Sequence, residues 1–136
     1  IKTGTSLHRS FNYNENKAGQ GKACLIGAEN YPKDTSELTF SDKLTRLTRQ
    51  AALNEKIRHK SVHISLNFDA SENLSPQKLQ QIAQAYMEGI GFGEQPYLVY
   101  EHYDAGHPHI HIVTTKVRAD GSGIDMYNIG RNRSEK

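Results

Sequence analysis

Two runs of strand-forming residues, 96–102 and 109–116, flank a turn containing Asp104, Gly106 and Pro108, and this hairpin constrains the fold more than any other stretch of the chain. Side chains alternate along a strand, so His109 and His111 project from one face, about 7 Å apart at roughly 3.3 Å per residue. Ile110 and Ile112 point to the opposite face, where they can serve a core. The turn brings His102, at the end of the first run, back alongside the pair. Three neutral nitrogen donors on a rigid sheet, with positions left open, suit a catalytic metal rather than a closed structural site. Two histidines at i, i+2 on a strand are often plain outward residues. A third at hairpin distance, and a face expected to lie away from the core, favour the metal. His107 in the turn is a fourth ligand, a DNA contact or a spacer, and Asp104 either orients an imidazole or simply forms the turn.

Residues 61–68 alternate in the same way: Val62, Ile64, Leu66 and Phe68 on one face, His63, Ser65 and Asn67 on the other. His63 therefore stands behind the ligands or on the surface. Ser75-Pro76 is a helix start, followed by a stripe of Leu79, Ile82, Ala83, Tyr86, Met87 and Ile90 that Gly89 and Gly91 end. A second helix is expected over 42–58, with Ser41 as its cap. Residues 14–22 and 27–40 read as loops, residues 6–13 as a strand or its lead-in, and 124–129 as a short edge strand after the turn at 119–123. The expected fold is α+β: one antiparallel sheet with helices packed on one face, in the manner of a ferredoxin-like sandwich.

At 136 residues the chain suits one domain, expected to span 1–136 and to be a trimmed part of a longer protein. No signal peptide is read at its start, and no stretch approaches the roughly 20 apolar residues of a membrane span. A single cysteine, Cys24, excludes a disulfide framework within the chain and fits a reducing cytoplasm. Net charge is only +2, but residues 1–60 carry 11 Lys/Arg against 6 Asp/Glu, and residues 61–110 carry 1 against 6. Basic ends can track phosphates while an acidic middle holds a cation, although surface charge also fluctuates along any chain.

The string His102-Tyr103-Asp104-Ala105-Gly106-His107-Pro108-His109-Ile110-His111-Ile112-Val113 resembles the third motif of the relaxase/mobilisation nucleases, members of the HUH endonucleases. That family's pattern has a first His, an Asp two residues on, and a step into His-x-His. The strand–helix–strand lead-in over 61–102 agrees, and the resemblance covers roughly residues 1–117. Thr114-Thr115 stands where many members carry an Asn.

The resemblance implies His102, His109 and His111 as ligands of a divalent cation, Mg²⁺ or Mn²⁺. It also implies a tyrosine nucleophile near the N-terminus, here Tyr13 in Ser10-Phe11-Asn12-Tyr13-Asn14, with Tyr31 and Tyr127 as rivals. The implied reaction is metal-assisted transesterification of single-stranded DNA at a transfer origin, giving a 5′-phosphotyrosine and a free 3′-hydroxyl. Asp104 and Glu101 are candidate bases. Arg9, Lys17, Lys22, Lys116 and Arg118, with Lys2, Arg131 and Arg133, are candidate contacts to the strand. A bacterial cytoplasm and accessory mobilisation proteins fit the same picture. The rival readings are a rolling-circle replication initiator or single-tyrosine transposase with the same chemistry, a hydrolase using metal-bound water, and a non-enzymatic metal- or DNA-binding module.

Overall fold

The computed structural model describes residues 1–126. Its elements run β1 (Lys2–Gly4), α1 (Leu7–Gly19), β2 (Ala23–Glu29), a short 3-10 turn (Thr35–Glu37), α2 (Phe40–Ala51), β3 (Ser61–Asn67), α3 (Pro76–Gly89), β4 (Tyr97–His102) and β5 (His109–Thr115). The strands form one sheet in the order β1-β3-β5-β4-β2, with every neighbouring pair antiparallel. The α+β class and the hairpin hold. Within the hairpin His102 pairs directly with His109, and Tyr100 with His111. In the adjoining pair Ser65 faces His111 and His63 faces Val113.

Helices cover both faces of the sheet, which corrects the one-faced sandwich expected from the sequence. On one face α3 lays Leu79, Ala83 and Met87 against Val62, Ile64, Tyr97, Val99, Ile110 and Ile112. On the other, Leu7 and Phe11 of α1 and Leu47 and Ala51 of α2 meet Leu98, Tyr100 and Val113. The reason lies in β4, where Tyr97, Leu98, Val99 and Tyr100 are all buried. A run apolar at both parities needs a cover on both sides. Each Leu or Met that leaves water in this way contributes about 1.5–3 kcal/mol. The histidine face is therefore a core face over part of its length, and the histidines occupy the end that lies under Tyr13 and Asn14 of α1.

Three local readings change as well. Residues 6–19 are a capped helix rather than a strand and a loop: Ser6 Oγ accepts from the Arg9 amide, and Leu7, Phe11 and Asn14 turn inward. One of those three inward positions is polar, which is why the helical period is faint. Residues 23–29, of which 27–29 fall in the loop expected over 27–40, are the edge strand β2, broken by a register shift between Leu25 and Gly27. The cap of α2 is Thr39, not Ser41. Thr39 and Asp42 exchange backbone and side-chain bonds in a capping box. That helix stops at Ala51 because the Asn54 side chain takes the Lys56 amide and donates to the Gly121 carbonyl, closing a turn. Beyond β5, Val117 and Gly123 form an isolated bridge. Of the edge strand expected over 124–129, residues 124–126 form no strand and the other half lies outside the described residues, as do Tyr127, Arg131 and Arg133. Among the described residues no helix is long and apolar enough to cross a membrane.

Candidate active site

The strand register brings the hairpin histidines together. His102, His109 and His111 each offer a ring nitrogen, and these atoms lie within 4.8 Å of one another. The His102 and His111 rings stack with centroids 4.0 Å apart, and His109 stands 5.2 Å from each. His102 and His109 are buried, at 2% and 7% exposure, and His111 is half-buried.

The donor set fits a divalent cation on two observations. Nδ1 of His102 and Nδ1 of His111 are buried with no hydrogen-bond partner, and an orphaned buried polar atom costs about 1–3 kcal/mol unless something satisfies it. The rings also repel protonation. Burial, then the neighbouring imidazoles, push His111 down to about 3, and burial with His109 holds His102 below the ordinary histidine value. Neutral imidazoles at physiological pH are what a metal requires.

Helix α1 crosses the same face and sets two consecutive residues over the cluster. The Tyr13 ring lies nearly parallel to His102 and His111, with centroids 6.2 and 6.1 Å away, and is 47% exposed. Asn14 is fully buried beneath it and bonds His102 Nε2 at 2.7 Å. Nothing in the sequence marked Asn14; its one signal is the i, i+4, i+7 spacing with Leu7 and Phe11 on a helix that is otherwise polar.

His63 joins this face, its ring edge-on to His111 at 4.7 Å and its Nε2 3.4 Å from Asn14 Nδ2. Burial and the positive charges around it push His63 down to about 4. His107 stays exposed and bonds Asn67; its ring centroid lies 5.5 Å from that of His109, but it is not one of the three histidines whose ring nitrogens converge.

The remaining candidates separate by position. Asp104 forms a 2.6 Å ion pair with Lys17, and its carboxylate lies 4.0 Å from His102 Nδ1. Lys17 holds the Asp104 carboxyl below its ordinary value. Lys17 Nζ stands 5.7 Å from the Tyr13 ring centroid. Glu101 has the opposite strand parity to His102, so it faces the α3 side of the sheet. Tyr31 donates its hydroxyl to the Lys43 carbonyl at 2.7 Å, and burial raises its pKa well above the ordinary phenol value, so it makes a poor nucleophile.

Arg9 lines an open groove with Lys2, Thr3, Ser6, Ser10 and His63, and Tyr13 is part of the same lining. Lys22 leads into β2 next to Ala23, the cross-strand partner of His102, and its carbonyl accepts the Tyr103 amide. Lys116 and Arg118 follow the far end of β5, about 20 Å of strand from His109 at ~3.3 Å per residue. The structure does not bring those two to the histidines, and Arg118 is bonded to Ser122 and to the Gly123 carbonyl.

No curated protein and no solved structure matches the chain. Residues 13–136 match the family model "Relaxase: MobA/VirD2-like, nuclease domain", a span that takes in Tyr13 and all three clustered histidines. The chain therefore belongs to the MobA/VirD2-like relaxase nuclease family.

Proposed function

We propose that the domain nicks one strand of DNA at a transfer origin by tyrosine transesterification, with Tyr13 as the nucleophile. The observation that carries this reading is the parallel placement of the half-exposed Tyr13 ring over His102 and His111. A phenol open to substrate on one side and set against a three-imidazole cluster on the other suits covalent phosphoryl chemistry. His102, His109 and His111 would hold a divalent cation, Mg²⁺ or Mn²⁺, which when bound polarises a scissile phosphate and offsets its developing charge.

In the proposed step Tyr13 Oη forms a bond to the scissile phosphorus and the bond from phosphorus to the 3′-oxygen breaks. The phenol proton is lost, and the departing 3′-oxygen takes one up. The products are a 5′-phosphotyrosine and a 3′-hydroxyl, so one phosphodiester replaces another and the strand can be resealed by the reverse reaction. Free tyrosine ionises near pH 10, so phenolate formation needs help. Lys17, whose ammonium lies by the Tyr13 ring, supplies positive charge there, and Asp104 acts as a positioning residue that holds Lys17 in place. Asp104 itself is a weak base while that ion pair lasts.

Single-stranded DNA reaches the tyrosine along the groove of Lys2, Ser6, Arg9 and Ser10. Ser6, Arg9, Ser10 and Tyr13 fall on one helical face, and the groove lining includes no acidic residue. Both features suit a polyanionic strand.

The deciding assay is a denaturing gel with a fluorescent single-stranded origin oligonucleotide and Mn²⁺. The native chain is expected to give an SDS-stable protein–DNA adduct, which Tyr13→Phe and His109→Ala both lose. Cleavage without any adduct would mean that water is the nucleophile. An adduct that survives in Tyr13→Phe would move the role to another tyrosine, with Tyr127 the first to test. No cleavage with any metal would leave a binding module.

A further inference from the structure

We infer that Asn14 is a positioning residue that fixes the tautomer of His102, directing its bare Nδ1 into the metal site. The inference rests on the reading of the three histidines as metal ligands. The Ser10 carbonyl can only accept, and Asn14 Nδ2 stands 2.8 Å from it. That contact fixes which end of the amide is nitrogen. Asn14 Oδ1 therefore faces His102 Nε2, at 2.7 Å, and a carbonyl oxygen there can only accept. His102 must then carry its proton on Nε2. In a neutral ring this leaves the lone pair on Nδ1, which is one of the two buried imidazole nitrogens without a hydrogen-bond partner.

The competing arrangement would put the proton on Nδ1 and give it to Asp104. Asp104 Oδ1 is 4.0 Å from that atom, too far for a hydrogen bond, and its Oδ2 is taken by Lys17. Asn14 is rigid enough to impose its choice. It is fully buried, sits on a helix, and its Nδ2 also lies 3.4 Å from His63 Nε2. Because Tyr13 is the preceding residue on α1, the same helical turn that locks the ligand also sets the height of the tyrosine over it.

The test uses the full chain, metal-free and labelled with ¹⁵N-histidine, and reads the ring protonation of each histidine from long-range ¹H–¹⁵N correlations. Affinity for Mn²⁺ alone is then measured by titration. Wild type is expected to show His102 protonated at Nε2 and bare at Nδ1. Asn14→Leu is expected to give mixed tautomers at His102 and about 10- to 100-fold weaker Mn²⁺ binding. Asn14→Asp keeps an acceptor for Nε2–H and is expected to restore the single tautomer and most of the affinity. A wild-type His102 protonated at Nδ1 overturns the inference, as does an Asn14→Leu protein with wild-type tautomer and affinity. If Asn14→Leu does not fold, the wild-type spectrum and Asn14→Asp still decide. If wild type binds no Mn²⁺, the metal reading fails while the metal-free spectrum continues to report on Asn14.

Discussion

Lys17 reaches from the last turn of α1 to Asp104 in the turn after β4, and the two close an ion pair of 2.6 Å beside the Tyr13 ring. The pair joins the helix that carries the tyrosine to the turn that follows the first histidine. Both side chains remain about one-quarter exposed, so its weight falls on the charge presented to the tyrosine more than on stability. Lys17→Met and Asp104→Asn should each fold normally and each slow adduct formation, by about tenfold for the lysine. Single-turnover rates on the origin oligonucleotide, with circular dichroism of both variants, check this. Equal rates in wild type and Lys17→Met would remove the ammonium from the mechanism.

The proposed metal ligands and the proposed nucleophile are separable. His102, His109 and His111 meet through strand register, whereas Tyr13 comes from the helix above them. His102→Ala, His109→Ala and His111→Ala should each weaken Mn²⁺ binding by at least about tenfold, by analogy with the cost of disturbing groups that only support a ligand. Tyr13→Phe should bind Mn²⁺ as wild type does and form no adduct. Titration calorimetry on the four variants, before and after a chelator, tests the division. Loss of Mn²⁺ binding in Tyr13→Phe would make the phenol a ligand instead.

How far the sequence revealed this site differs from residue to residue. His109 and His111 could be read because a strand alternates, and His102 because a short turn fixes which residue comes back beside them. Tyr13 was reached only through the family resemblance, since the faint period of α1 hid the helix that carries it. Asn14 was missed for the same reason, as an inward polar residue looks like a loop residue until its partner is known. Edge strand β1, with three residues, offers too little alternation to detect, and β2 carries a register shift that breaks its period. The run Tyr97-Leu98-Val99-Tyr100 did hold the clue to a two-faced core, which the one-faced reading passed over.

That two-faced core makes a direct stability prediction. Leu79 of α3 and Leu47 of α2 are both fully buried, on opposite sides of the sheet. Leu79→Ala and Leu47→Ala should each cost about 2–5 kcal/mol, because each leaves a cavity against β-sheet side chains. A one-faced sandwich would leave Leu47 on a lightly packed helix and make its loss cheap. Urea unfolding of both variants distinguishes the two, and a Leu47→Ala cost below about 1 kcal/mol would count against the second layer.

The basic residues divide into those at the tyrosine and those remote from it, and DNA binding should follow that division. Arg9 and Lys2 line the same groove as Tyr13. Arg118 sits past the far end of β5, its guanidinium already engaged with Ser122 and the Gly123 carbonyl. If the strand runs in the groove, Arg9→Glu should weaken binding of the origin oligonucleotide and flatten its dependence on salt by about one counterion. The change should appear across unrelated sequences too, because a phosphate contact carries no base information. Arg118→Glu should leave both affinity and salt slope near wild type, and neither variant should alter Mn²⁺ binding. Fluorescence anisotropy over a range of salt concentrations provides the comparison. The reverse pattern, with Arg118→Glu losing affinity and Arg9→Glu retaining it, would place the strand across the other end of the sheet and force a different route to Tyr13.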